Sequence, residues 1–439
     1  MKKIGAILQI CFWAFVCEAE AKAFAMEEFF LENGMQVIVI ENHKAPIVKH
    51  MVFYKVGAVD EPKGKGGIAH LLEHLMFRGT RKVKGQEFNK IMEQNGAESN
   101  AFTSQDVTAY HQFLDISRLE LAMFLEADRM KNLDISDEDF ETERDIVFQE
   151  RKQRIDSNPA AKFYEMVKKA LWGNHPYGNP VTGEDIEIKN LNKKDAVDFY
   201  EKYYSPNNAV LVLSGDITPE EAKILAKKYY GKLKPVKFEK TILEKLPENF
   251  EAEIKVKMDE VKLNRLVKIM AVPSFAQDKK KAYALEVLVN YLSQDENSPL
   301  YQRLVTQGHK ALDVAVGYDG ISRSYGSFSL SAIPQGLPDE DFKKHIDKAW
   351  NYALKKLNIA EIEKTKKKML SELVYMKDNP STLAQTAGWM ASCGVAINEL
   401  QEYEDNIKNV TLDDVKNVAD FVWNKAPKVT GILVAKESK

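Results

Sequence analysis

His70 and His74 stand four residues apart with Glu73 between them, in the run His70-Leu71-Leu72-Glu73-His74. On a helix, positions i and i+4 lie one turn apart on one face, so both imidazoles can be offered to a single cation. Glu73, at i+3 from His70, shares that face and is placed to act as general base toward a water beside the cation. The order His-x-x-Glu-His therefore supplies two ligands and a base for metal-assisted hydrolysis. A catalytic zinc takes three protein ligands and keeps one position open. The acidic stretch from Ser136 to Ile155 offers Glu143 and Glu150, seven apart and so on one helical face. Spacing alone does not choose between them. The neighbouring Glu141, Arg144 and Lys152 read as a solvated face, as does the run Lys364 to Lys368 further on.

These residues need a scaffold, and the pattern along the chain predicts one. Gly34 to Ile40 and Ile47 to Val56 read as strands. Gly64 to Gly67 lead into an apolar helical pattern, Ile68 to Phe77, that stops near Gly79. Helices are expected over Asn89 to Glu93 and Arg118 to Met130, with a strand-like stretch from Thr103 to Phe113 between them. Ser136-Asp137-Glu138-Asp139 is a helix start, and Asn158-Pro159 begins another. Asn208 to Ser214 reads as a buried strand, and Thr218-Pro219-Glu220-Glu221 opens a helix. Between Gly231 and Asn249 the apolar periodicity dissolves into Lys, Glu and Pro, which reads as a linker.

A similar order then begins again. Strands are expected near Glu253 to Met258, Val267 to Val272, Leu312 to Tyr318 and Tyr325 to Ala332. Helices follow Lys279, run up to Leu357 and restart at Ile359, and Val429 to Val434 closes as a strand. Two halves of about 200 residues with matching order suggest a duplicated α+β domain. The expected division is 26–232, a linker at 233–249, and 250–439.

The chain has 439 residues, of which 44% are hydrophobic and 29% charged, with a net charge of −3. This balance excludes a disordered chain and a basic nucleic-acid module. Lys2 and Lys3, the apolar run Ile4 to Val16 and overlapping A-x-A sites up to Ala25 follow the order of a signal peptide. Residues 1–23 are expected to be removed, leaving a bacterial periplasmic or secreted protein with no stable membrane insertion. Val16 is too bulky for a lipoprotein anchor at Cys17. Export would leave Cys393 as the one cysteine, and hence no internal disulfide.

The chain resembles the pitrilysin or insulinase-type metallopeptidases, which include the mitochondrial processing peptidases and small bacterial relatives. The resemblance rests on His70-Leu71-Leu72-Glu73-His74, Asn100-Ala101-Phe102-Thr103-Ser104, Glu143 to Glu150, His175-Pro176-Tyr177-Gly178 and Ser205-Pro206-Asn207-Asn208, and covers nearly all of the chain after the leader. It implies one Zn2+ per chain held by His70, His74 and Glu150, with Glu73 activating water. Glu143 would orient a ligand, and Asn100 and Ala101 would lie on an edge strand that pairs with an extended peptide substrate. His175 and Tyr177 are expected to be structural. The implied fold is two similar α+β domains, each an antiparallel sheet with helices packed on one face, together forming half of a clamshell.

One departure from the family pattern bears on activity. Active members carry an Arg and a Tyr in the second half; here Val305 stands where the Arg belongs and Ala311 or Leu312 where the Tyr belongs. Arg303 and Tyr318 are nearby but out of register. The expectation is an exported zinc endopeptidase for short or unfolded peptides, paired with a homologous subunit that supplies Arg and Tyr, or forming a homodimer. Two other readings compete: a non-proteolytic structural or assembly subunit, and an organellar presequence-processing peptidase. Retention of both histidines and both glutamates favours the enzyme, and the apolar leader argues against the organelle.

Overall fold

Every residue from Gln36 to Ile40 is buried, and so is every residue from Ala209 to Gly215. A strand that is apolar at successive positions needs cover on both faces. In the computed structural model, which describes residues 26–435 apart from 86, 248, 249 and 378, that cover comes from both halves of the chain. The leader, with Cys11 and Cys17, lies outside the described residues.

The first sheet holds β1 (Met26–Phe30), β2 (Gln36–Glu41), β3 (Ile47–Tyr54), β4 (Glu98–Thr103), β5 (Thr108–Asp115) and β6 (Ala209–Gly215). Their order is β1-β2-β6-β3-β5-β4, so β4 is an edge. The second sheet holds β7 (Glu251–Met258), β8 (Arg265–Val272), β9 (Ala311–Asp319), β10 (Gly326–Pro334) and β11 (Lys428–Ala435), in the order β7-β11-β8-β10-β9. In each sheet the last strand of the half inserts between the half's opening strands, β6 between β2 and β3, β11 between β7 and β8. Each insertion makes one parallel pair, β2·β6 or β7·β11; the other pairs are antiparallel. This shared plan is what a duplication leaves behind.

On the first sheet, Val37, Val39, Val52 and Tyr54 pack toward the helices Ile68–Leu75 and Leu119–Asn132 of the same half. The alternate residues Ile38, Ile40, Met51 and Phe53 meet a helix from the second half, Pro380–Ser392. The exchange is reciprocal. Helix Pro159–Trp172 of the first half lies on β7, β8 and β11, with Phe163 and Val167 against Val267, Ile269 and Val429. Both crossing helices start alike: Asn158 and Asn379 each accept from two backbone amides ahead of a proline at the first turn. Both contacts also need a missing side chain. A Cβ on Gly388 would stand 2.1 Å from the Phe53 ring, and one on Gly431 2.3 Å from Val167.

A charged latch joins the halves at the loop between β9 and β10. Arg323 donates through Nη2 to Asp60 (2.8 Å) and through Nε and its backbone amide to Asp106 (2.9 and 3.2 Å). Asp106 also accepts from the Tyr177 hydroxyl, which in turn accepts from the Ser324 amide. Tyr177 and His175 are buried in this junction.

Three local details differ from the pattern read along the sequence. Thr103 to Phe113 is a hairpin, not one strand; Ser104 turns the chain by bonding Val107 in both directions. The acidic helix is α-helical over Asp137–Arg151 and widens to a π turn over Lys152–Asp156. β1 carries no clear period-two signal, because it is a half-covered edge strand.

Candidate metal centre

The helix Ile68–Leu75 opens at Gly67, whose φ of +87° suits only glycine comfortably and whose Cβ would meet the Thr182 carbonyl. Glu61 closes this end by accepting from the Gly67 and Ala69 amides, both at 3.0 Å. Ile68, Leu71, Leu72 and Leu75 are buried in the core. That anchors the helix so that His70, Glu73 and His74 fall on the side facing the acidic helix. The acidic helix is fixed in turn by a capping box between Ser136 and Asp139 and by buried Phe140 and Val147.

Two imidazoles and one carboxylate converge between these helices. Glu150 Oε2 lies 3.8 Å from His70 Nε2 and 3.4 Å from His74 Nε2, and all three ligand atoms lie within 4.8 Å of one another. Ligand atoms about 2.0–2.1 Å from a tetrahedral ion stand about 3.3–3.4 Å apart, so the spacing fits one first-row divalent cation after small adjustment. The tautomer is fixed on one side: His74 Nδ1 bonds Glu143 Oε2 at 2.9 Å, which leaves Nε2 for the ion. Glu143 is itself held by Arg78 Nε, and Arg154 pairs with the far oxygen of Glu150 at 2.6 Å. Glu73 is not in the ligand set. Its Oε2 accepts from the Thr103 hydroxyl at 2.5 Å, and Thr103 belongs to the edge strand β4.

Electrostatics separate the roles of these groups. Burial, with His74 and Arg154 nearby, pushes His70 down to about 3, so it stays a neutral donor. Burial raises the Glu73 carboxyl above its usual range despite the Thr103 hydrogen bond. Burial would also raise Glu143, but the bonds from His74 and Arg78 outweigh it and hold the carboxyl below its usual range.

The structure brings His70, His74, Glu150, Glu73 and Glu143 into one cluster and puts Asn100 and Ala101 on β4 beside it. It does not bring Arg303 or Tyr318 there. The Arg303 guanidinium lies over the Tyr352 ring, and the Tyr318 hydroxyl donates to the Pro273 carbonyl. Sequence reasoning missed Arg78, Arg154 and Thr103. Arg154 had a signal, since a basic residue four after an acid is the spacing of a helical ion pair. Thr103 had none.

A fold of two matched α+β halves with this His-x-x-Glu-His site on the first defines an inverted-motif metallopeptidase architecture. The chain belongs to the insulinase family of peptidases, family M16. Residues 36–185 match the model for "Insulinase (Peptidase family M16)", and residues 190–369 match that for "Peptidase M16 inactive domain". The chain is 30% identical over 416 residues to the zinc protease PqqE of Helicobacter pylori, covering 93% of this chain and 92% of that one. It is 24% identical over 412 residues to a probable mitochondrial-processing peptidase subunit beta of Schizosaccharomyces pombe, covering 92% and 90%. A crystal structure of a protease from Helicobacter pylori superposes with a TM-score of 0.87 at 27% identity, covering 94% of this chain and all of that one.

Glu143→Ala should weaken zinc binding about 10- to 100-fold by releasing the His74 ring, without unfolding the chain. Competition with a chromophoric chelator, read beside circular dichroism, measures this. Unchanged affinity would show that Glu143 does not orient His74.

Proposed function

We propose that the chain is an exported zinc endopeptidase for short or unfolded peptides, and that it acts as the zinc-bearing member of a pair. The convergence of His70, His74 and Glu150 beside a carboxylate tied to an edge strand carries this reading. An extended peptide can add to the open side of β4 through main-chain hydrogen bonds, which suits unfolded segments and excludes folded ones. Asn100 and Ala101 lie along that edge, and Thr103 at its end fixes Glu73. A cavity of about 280 Å³ opens beside Asn100 with Phe77 and Met92 in its lining, and offers room for one side chain of the peptide.

A bound zinc ion would lower the pKa of water and polarise the scissile carbonyl. The chain's own residues do the rest. His70, His74 and Glu150 hold the ion, and Glu143 keeps the His74 ring turned toward it. Glu73 takes the proton of the attacking water and delivers it to the departing amine. The edge strand aligns the peptide bond beside Glu73, so that attack is effectively intramolecular.

The missing Arg and Tyr motivate the pairing. A preorganised donor to the developing oxyanion is worth about two to three orders of magnitude in rate. A relative named as subunit beta supports a division of labour between chains. The leader Lys2 to Ala23 supports export, and among the described residues no helix is long and apolar enough to cross a membrane.

Cleavage of a quenched-fluorescent unstructured peptide tests the proposal, with the chain alone and with a homologous chain bearing the Arg and Tyr. The chain alone should be slow, and the partner should raise the rate about 100- to 1,000-fold. Full-rate cleavage by the purified chain alone would defeat the pairing. Absence of cleavage in both mixtures, with zinc bound, would defeat the peptidase reading.

A further inference from the structure

The second half forms a half-open cavity of about 290 Å³ that the metal centre does not use. It lies among helix Lys279–Ser293, helix Ile359–Lys377, the crossing helix Pro380–Ser392 and helix Tyr403–Asn409. Phe275, Met369, Leu373, Met376, Met390 and Leu400 make it apolar, and three methionines give it an adaptable surface.

Its polar lining is one-sided. Glu286 faces the cavity with one carboxylate oxygen accepting from the Tyr403 hydroxyl at 2.9 Å; the other has no partner among the described residues. Asn290 donates one amide proton to the Glu286 carbonyl, which leaves its side-chain oxygen and its second amide proton for the cavity. Glu372 accepts from Gln294 at 2.8 Å. Tyr283 and Tyr403 direct their hydroxyl protons to Glu399 and Glu286. Among the lining residues the Thr386 hydroxyl and the second Asn290 amide proton are the side-chain donors with no partner fixed among the described residues, and no Lys, Arg or His is present. The space therefore offers acceptors and negative charge, two neutral donors and no cation.

A carboxylate in such surroundings is costly without a counter-charge. Burial, offset only by the Tyr403 hydrogen bond, pushes Glu286 up to about 7. A cation restores what the lining lacks. For scale, a dry cavity of about 150 Å³ admits benzene, so this one has room for an aromatic ring carrying a short chain.

We propose that this cavity is a binding site for a small apolar amine, an aryl or alkyl body with one protonated nitrogen set against Glu286 and Asn290. The site is independent of the peptidase reading and stands or falls without it. The ammonium donates to the free oxygen of Glu286, and the body displaces water from the methionine-lined wall.

Isothermal titration calorimetry of the zinc-loaded chain with phenethylamine tests the proposal, with phenethyl alcohol as the uncharged counterpart. The amine should bind saturably, one per chain. The alcohol should bind about tenfold or more weakly, the worth of one hydrogen bond to a charged group. Glu286→Gln should remove that preference while circular dichroism and zinc content stay unchanged. Leu373→Trp, which fills the cavity with Glu286 in place, should abolish binding of both and serves if the first variant does not fold. Three results would overturn the proposal: no saturable heat at about 10 mM amine, equal binding of amine and alcohol, or amine binding unchanged in either variant.

Discussion

Glu73→Gln is expected to leave the chain folded with one zinc ion and to cut peptide hydrolysis by about two to four orders of magnitude. The carboxylate contributes no ligand atom to the converging cluster, so its amide counterpart leaves His70, His74 and Glu150 in place. Gln is isosteric and its oxygen can still accept from Thr103, so the edge strand should hold its position. What disappears is the group that takes the water's proton. Initial rates with the quenched-fluorescent peptide, beside metal content by mass spectrometry, separate the two effects. Retained hydrolysis would assign the base elsewhere; loss of the metal would make Glu73 part of the binding set.

Arg323→Met is expected to destabilise the fold by about 3–5 kcal/mol, the range for removing one member of a buried charge cluster. Asp60 and Asp106 are 6% and 4% exposed and both lean on one guanidinium. Removing it leaves two buried carboxylates without their cation. Urea unfolding monitored by tryptophan fluorescence measures the loss. Adding Asp60→Asn and Asp106→Asn to the Arg323→Met chain should recover a large part of it, because neutral amides do not repel. A deficit under about 1 kcal/mol, the scale of an exposed pair, would show that the latch is solvated. The latch also bears on the site, since Asp106 lies in the turn that carries β4 into β5, three residues after Thr103.

What could be read in advance follows the range of the interactions. The His70/Glu73/His74 face is set within one helical turn, so spacing alone brings it together. Glu143 and Glu150 share a face and were indistinguishable by spacing; only the packing of two helices turns one carboxylate to His74 Nδ1 and the other to Nε2. The apolar runs of β2 and β6 announce burial on both faces, yet nothing in them says that a helix from the second half provides the second cover. Arg323 was invisible as a latch because its partners lie 217 and 263 residues earlier. Long-range pairs of this kind have no local pattern.

The reciprocal crossing of helices Pro159–Trp172 and Pro380–Ser392 has a consequence for how the chain is made. Residues 26–232 contain every strand of the first sheet, yet on their own they would leave Ile38, Met51 and Phe53 bare. The helix that covers them is synthesised only when residue 392 has emerged. Until then the nascent first half presents a broad greasy surface, the kind of surface that holding chaperones grip and aggregates grow from. The two halves should therefore mature together, once the whole chain is free to fold, and a chain truncated in the linker should keep that surface exposed.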